Sequence, residues 1–287
     1  VTLLENLRFH PGEEANDDEF VKELARLAHV YVNDAFSVSH RAHASTVGIT
    51  NYLTEAFAGF SLWNEVRNLN SIMLSPKRPL TVILGGSKVS AKIGLIENLM
   101  KVADNILIGG GMANTFNAAL GNPVGTSKVE AEHFDLCRRL MLKKYRGKCK
   151  IVLPEDYIVT DSCAAGAIKE TAFTRKIPLN RMATDIGGIT IYRFSEVIAE
   201  SGTVLWNGPL GAFEIPEFSR GTFEVARFLA KASKGGIFTA AGGGDTNAAI
   251  AAAGVLDDFN YISTAGGAML EFLEGKKLPG IVALERE

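Results

Sequence analysis

Asp245 sits inside Thr239-Ala240-Ala241-Gly242-Gly243-Gly244-Asp245-Thr246, and this stretch is the best suited to chemistry in the chain. Glycines let a ligand approach the main chain, and a helix starting near Thr246 presents unpaired N–H groups with a partial positive charge. That combination is a cradle for phosphate. A carboxylate within it repels phosphate unless a cation lies between them, which points to Mg2+ at Asp245. The competing reading is a tight strand–helix turn with Asp245 as the helix cap. Lys88 and Lys92 follow a second glycine turn, Gly85-Gly86. Four apart on the helix expected there, they would point along one face and suit a transferring phosphoryl group, whose catalysis is mostly positioning and charge stabilisation. Two solvated surface lysines are the plainer alternative.

These groups need a sheet to hold them. Apolar runs at Leu80–Leu84, Asn105–Ile108, Lys150–Pro154, Thr203–Trp206, Gly236–Ala240 and Tyr261–Thr264 read as strands, with helical stretches between them. Continuous apolar strands alternating with helices predict a parallel sheet covered on both faces. Glycine clusters follow five of the six runs and so collect along one edge, where ligands bind in open α/β sheets. Neither G-x-G-x-x-G nor G-x-x-x-x-G-K-[ST] occurs, which excludes a standard dinucleotide site and a Walker loop. No Ser/His/Asp elbow or Cys/His pair is present, which argues against acyl transfer through a covalent enzyme intermediate.

Before this block, Val1-Thr2-Leu3-Leu4 reads as the end of a strand. Phe20, Val21, Leu24, Leu27 and Ala28 mark one face of a helix from Asp18 to His29, and Val30-Tyr31-Val32 reads as a strand. Leu62, Val66, Leu69 and Met73 mark a further helix, ended by Ser75-Pro76. Arg8 and Arg41 lie close to predicted strands, where they can reach a ligand or form surface ion pairs. His40 and His43 read as hydrogen-bonding or phosphate-facing residues rather than metal ligands, since no third ligand stands near them. The 287 residues carry a net charge of −2 and 47% hydrophobic residues, with no basic tract, which gives no support for nucleic acid or membrane binding. Three cysteines without a CxxC pair suit reduced thiols and a cytoplasmic setting.

The motifs resemble those of phosphoglycerate kinase. The resemblance is carried by Leu3-Leu4-Glu5-Asn6-Leu7-Arg8-Phe9, Asn33-Asp34-Ala35-Phe36, His40-Arg41-Ala42-His43 and Leu84-Gly85-Gly86-Ser87-Lys88-Val89. It continues through Trp206-Asn207-Gly208-Pro209, Phe213-Glu214, Gly242 to Thr246 and Leu273-Glu274-Gly275-Lys276, in family order over essentially the whole chain. It implies a glycolytic, hinge-bending kinase of the cytoplasm, monomeric in its parent form, that passes a phosphoryl group between 1,3-bisphosphoglycerate and ADP to give 3-phosphoglycerate and ATP. By that resemblance Arg8 and Arg41 hold phosphoglycerate. Lys88 and Lys92 lie near the nucleotide phosphates, and Gly109, Gly110, Asn207 and Pro209 line the adenine pocket. Glu214 takes the ribose hydroxyls. Gly243, Gly244 and Thr246 bind phosphate through main-chain N–H groups, and Asp245 holds the Mg2+ that accompanies ATP or ADP. Lys92, Gly243 and Gly266 are implied to make the catalytic contacts.

The expected fold class is therefore α/β: a Rossmann-like nucleotide domain, its parallel sheet sandwiched by helices, plus a remnant of a second α/β domain. The expected division is residues 1–57 as the phosphoglycerate-side remnant and 58–75 as an interdomain helix. Residues 76–275 would form the nucleotide domain, and 276–287 a segment returning toward the remnant. The chain departs from the resemblance at Ala265, where the family often has glycine, and in the residues of the helix from Leu62. It begins at Val1 and lacks the family's opening segment, so it reads as a fragment with little or no kinase activity, or as a nucleotide-binding module alone. Phe20, Leu24 and Val32 are expected to stay uncovered, leaving residues before about Ala58 mobile or self-associating.

Overall fold

The computed structural model describes residues 1–53 and 55–285, so the last two residues of the predicted 276–287 segment lie outside the described residues. The chain divides into two compact units, residues 1–70 with 265–287, and residues 71–264. The helix Phe60–Leu74 begins in the first and ends in the second.

In the first unit, β1 (Val30–Asn33) and β2 (Glu55–Ala58) form a two-stranded parallel sheet with Val32 opposite Phe57. The expected strand end at Val1–Leu4 is absent: no strand among the described residues pairs with it, and Leu3 is almost fully exposed. A 3-10 turn, Leu7–Phe9, follows instead, with the Asn6 side chain accepting from the Arg8 N–H. The helix expected over Asp18 to His29 spans Asp18–Ala25, capped by Asp17, whose carboxylate accepts from the Phe20 N–H. Its last turn tightens, with Leu27 N–H donating to Leu24 carbonyl, because the chain must extend into the β-branched β1. Leu27 therefore leaves the apolar face and is exposed.

Val21, Leu24 and Ala44 form a small core, with Phe20, Leu7 and Ile49 against it. The expectation that Phe20 and Leu24 stay uncovered is thus corrected: the 3-10 turn Gly48–Asn51 covers the helix without needing a larger sheet. Val32 and Phe57 do remain exposed. Asp34 starts the helix Phe60–Leu74 from outside, accepting from the Ser61 and Leu62 N–H groups at 2.6 and 3.0 Å. The short helix Pro279–Val282 packs against the end of a third 3-10 turn, Phe36–Val38, with Gly280 N–H donating to the Ser39 carbonyl.

The second unit holds the six predicted strands as β3 (Leu80–Leu84), β4 (Asn105–Ile108), β5 (Lys150–Val152), β9 (Thr203–Asn207), β10 (Phe238–Gly242) and β11 (Tyr261–Ser263). Every pair is parallel, in the order β11-β10-β9-β3-β4-β5. The central strands β3 and β9 are buried at every position, which is why they read as unbroken apolar runs. Trp206, Phe194, Leu229 and Ile250 belong to the core cluster packed on this sheet. A second, antiparallel sheet was not foreseen: β6 (Asp156–Thr160) pairs with β7 (Lys169–Phe173) and β8 (Met182–Ile186). No helix among the described residues is long and apolar enough to cross a membrane.

Candidate functional site

The site is built where β3, β4, β9 and β10 end. Beyond the sheet, Gly85 N–H donates to the Asn207 carbonyl at 3.0 Å and Gly86 N–H to the Pro209 carbonyl at 2.9 Å, so the two strand ends stay zipped past their last rungs. A side chain at Gly85 would strike the Pro209 and Gly208 carbonyls, so only glycine allows this approach. From β4, Gly109 N–H reaches the Leu84 carbonyl and Gly110 N–H the Leu210 carbonyl, at 2.8 and 3.0 Å. The helix Gly110–Ala119 starts there.

Beside this seam β10 ends at Gly242, and Gly243, at φ 101°, turns the chain into the helix Gly244–Ala252. The cap position is Gly243, and Asp245 stands exposed in the first turn, so Asp245 does not serve as the cap. The first N–H groups of this helix have no intrahelical acceptor. Asn207 locks the turn from β9, its Nδ2 donating to the Gly242 carbonyl at 2.7 Å. Thr246 is buried, and its Oγ1 accepts from the Gly208 N–H at 2.7 Å.

Lys92 and Lys88 do not share a helix face, contrary to the spacing argument. Lys88 lies in the loop after β3, Ser90–Lys92 form a 3-10 turn, and the helix proper is Ile93–Leu99. Glu130 makes the difference. Its carboxylate accepts from the N–H groups of Val89 and Ser90, at 2.6 and 3.1 Å, and from the Ser90 hydroxyl, at 2.5 Å. This delays the helix start and sends the two lysines different ways. Lys88 stays exposed on the cleft. Lys92 turns inward, its Nζ donating to the carbonyls of Gly85 at 2.7 Å and Asn207 at 2.9 Å. Burial lowers its ammonium to about 8, an effect partly offset by the Asp245 carboxylate.

A cleft of about 800 Å³ opens over these strand ends. Of the predicted residues it exposes Lys88, Gly110, Pro209, Glu214 and Asp245 on its wall. Lys92, Gly109, Asn207, Gly243, Gly244 and Thr246 are not on that wall. Of these, Lys92, Asn207 and Thr246 join β3, β9 and β10 by the bonds just given. Arg8, Arg41 and Gly266 belong to the other unit. There Arg8 lies 3.9 Å from Glu14 with both side chains exposed, Arg41 is exposed, and Gly266 starts the helix Gly266–Leu273. His43 Nδ1 is 3.7 Å from the buried Glu13, and a side chain at Gly267 would meet His40. Neither histidine belongs to a cluster of metal-ligating groups among the described residues.

Among the cleft-wall residues that sequence reasoning missed, Asp185 and Asn114 are two buried polar ones. Asp185, at the end of β8, is buried, accepting from the N–H groups of Gly221 at 2.6 Å and Ile186 at 2.9 Å. Burial pushes its carboxyl up to about 7, with the Gly221 and Ile186 N–H groups acting against that rise. The only sequence signal was the glycine pair that follows it, Gly187-Gly188. Asn114, on the helix Gly110–Ala119, is also buried on this wall and left no sequence signal.

Comparison with known proteins places this geometry in a family. The family model described as phosphoglycerate kinase matches residues 1–276. The chain is 49% identical over 285 residues to a phosphoglycerate kinase of Thermosynechococcus vestitus, covering 99% of the chain and 71% of that protein. It is 50% identical over 284 residues to one of Chlorobium chlorochromatii, covering 99% of the chain and 72% of the relative. Among solved structures, phosphoglycerate kinase from Coxiella burnetii superposes with a TM-score of 0.92 at 41% identity, over 97% of this chain and 71% of that one. The enzyme from Pyrococcus horikoshii gives 0.84 at 30% identity, over 99% and 72%.

Proposed function

The chain belongs to the phosphoglycerate kinase family, and from that premise we propose that its cleft binds a magnesium-bound nucleoside diphosphate for phosphoryl transfer from 1,3-bisphosphoglycerate. The observation that carries the reading is the exposed Asp245 in the first turn of the helix Gly244–Ala252, opening on a cleft that also presents Glu214 and Lys88. Unpaired N–H groups at that helix start suit the phosphates, and Glu214 suits the ribose hydroxyls. One exposed carboxylate beside a phosphate cradle fits Mg2+, which is commonly held by one or two carboxylates plus substrate phosphates. When bound, that ion supplies charge neutralisation between the phosphates.

The chain's own residues position and stabilise. Lys92 braces the ends of β3 and β9 and brings a buried positive charge to the floor below the phosphates. Arg8 and Arg41 hold the phosphoglycerate side, and Gly266 contributes a helix start there. In the transfer, a β-phosphate oxygen of ADP forms a bond to phosphorus as the bond to the acyl oxygen breaks. The electron pair leaves with a carboxylate. That leaving group needs no proton, so no protein base is required.

Calorimetry with ADP in Mg2+ buffer tests the binding step. Saturable binding that weakens in Asp245→Ala is expected, and no binding at millimolar ADP would overturn it. A coupled assay with phosphoglycerate and ATP separates catalysis from binding alone: turnover supports the kinase reaction, and binding without turnover favours a nucleotide-binding module.

A further inference from the structure

Asn114 carries a feature that phosphate binding does not use. The residue is 4% exposed, it lies on the cleft wall, and its Oδ1 is buried with no hydrogen-bond partner among the described residues. The other buried polar side chains on that wall are all engaged. Ser127 Oγ accepts from the Ala183 N–H at 2.8 Å, Thr184 Oγ1 donates to the Ile158 carbonyl at 3.2 Å, and Asp185 holds Gly221 and Ile186. The Tyr157 hydroxyl is taken by Asn117 Nδ2 at 2.6 Å. A buried acceptor left without a donor keeps its desolvation cost, so a polar orphan on a ligand cleft points to a donor that arrives with the ligand.

The surroundings indicate which part of the ligand that is. Asn114 stands four residues, about one helical turn, beyond Gly110, where the helix meets the glycine seam. The helix packs against β8, and Met182 and Ala183 of that strand line the same cleft with Tyr157 and Val129. Apolar and aromatic side chains with one unengaged buried polar group among them suit a planar base rather than a phosphate. Resting on the nucleotide reading above, we propose that Asn114 reads the base, its side-chain oxygen accepting a hydrogen bond from the 6-amino group of adenine. An amide matches the amino edge of adenine in the same way in nucleic-acid recognition.

The test is a double comparison by calorimetry in Mg2+ buffer. ADP and purine riboside 5′-diphosphate, which differs only in lacking the 6-amino group, are titrated into the parent protein and into Asn114→Leu. The parent should bind ADP about tenfold more tightly than the deaminated ligand, and Asn114→Leu should abolish that difference by weakening ADP alone. Asn114→Ala gives the same comparison should leucine prevent folding. Equal affinity of the parent for both ligands, or equal losses for both in the variants, would overturn the assignment while leaving nucleotide binding intact. Failure of ADP to bind the parent protein sinks the nucleotide reading, and this one with it.

Discussion

Lys92 offers the sharpest test of the phosphate end. Free of ligand, it titrates near 8 because burial disfavours its charge. Anionic phosphates favour the charged form, so the lysine's proton affinity must rise in the complex, and ADP binding above pH 8 must take up a proton. At pH 7 about nine-tenths of the free protein carries the charge, and at pH 9 about one-tenth, so the apparent affinity should fall roughly tenfold across that window. The terminal phosphate, which ionises near pH 6, stays outside it. Replacing Lys92 with methionine should weaken ADP at pH 7 by roughly ten- to a hundredfold, the worth of a charge-assisted contact, and should flatten the pH profile. Folding stability has the opposite slope. The depressed lysine costs stability below about pH 8 and the cost is relieved as pH rises toward 10.5. The assay is calorimetry from pH 7 to 9 in two buffers of different ionisation enthalpy, which counts the protons directly. A flat affinity in the parent protein, or the same slope in Lys92→Met, refutes the reasoning.

Glu214→Ala should weaken ADP about tenfold and leave inorganic triphosphate unchanged, because that ligand has no ribose; equal losses would mean that Glu214 acts through folding. Asp185→Asn removes a carboxyl that burial raises from 3.8 to about 7. A raised acid costs the folded state progressively as pH climbs from about 4 to 7, by at most on the order of 4 kcal/mol. The variant should therefore gain stability relative to the parent between pH 5 and pH 8 in urea denaturation, and a pH-independent difference would show that Asp185 does not titrate there. At Gly243, φ is 101° and an added Cβ would lie 2.8 Å from Asn207 Nδ2. Gly243→Ala should lower the thermal midpoint, by roughly 1–3 kcal/mol of strain, whereas Gly244→Ala, with open space around its Cβ, should change it little.

Much of the second unit was legible because its main sheet is buried on both faces. Leu80–Leu84 and Thr203–Asn207 are covered at every position, so the hydrophobic pattern is continuous and its ends are marked by glycine. The glycines were readable for a related reason, since the seam between β3 and β9 leaves no room for a side chain at Gly85. In the antiparallel sheet only β6 carries a short apolar run, Tyr157-Ile158-Val159, and its two partner strands do not. Lys169–Phe173 is mostly exposed; in the first unit the parallel strand Glu55–Ala58 likewise begins on a charge and leaves Phe57 in the open.

The residue types proposed to carry the chemistry, the glycine turns with Asp245 and the lysines, follow from sequence alone, because their identities and their places after strands are local properties; Glu214 entered only through the family resemblance. What the lysines do was decided by tertiary structure. Glu130, forty residues downstream, captures the N–H groups of Val89 and Ser90, and so Lys92 turns to the strand ends while Lys88 faces the cleft. Asn114 and Asp185 depended on it entirely. A buried amide oxygen without a partner, or a carboxyl raised by burial, is defined by what surrounds it, and for these two the surroundings include segments distant in the chain, β8 and the start of the helix Arg220–Lys234, which no local pattern of residues encodes.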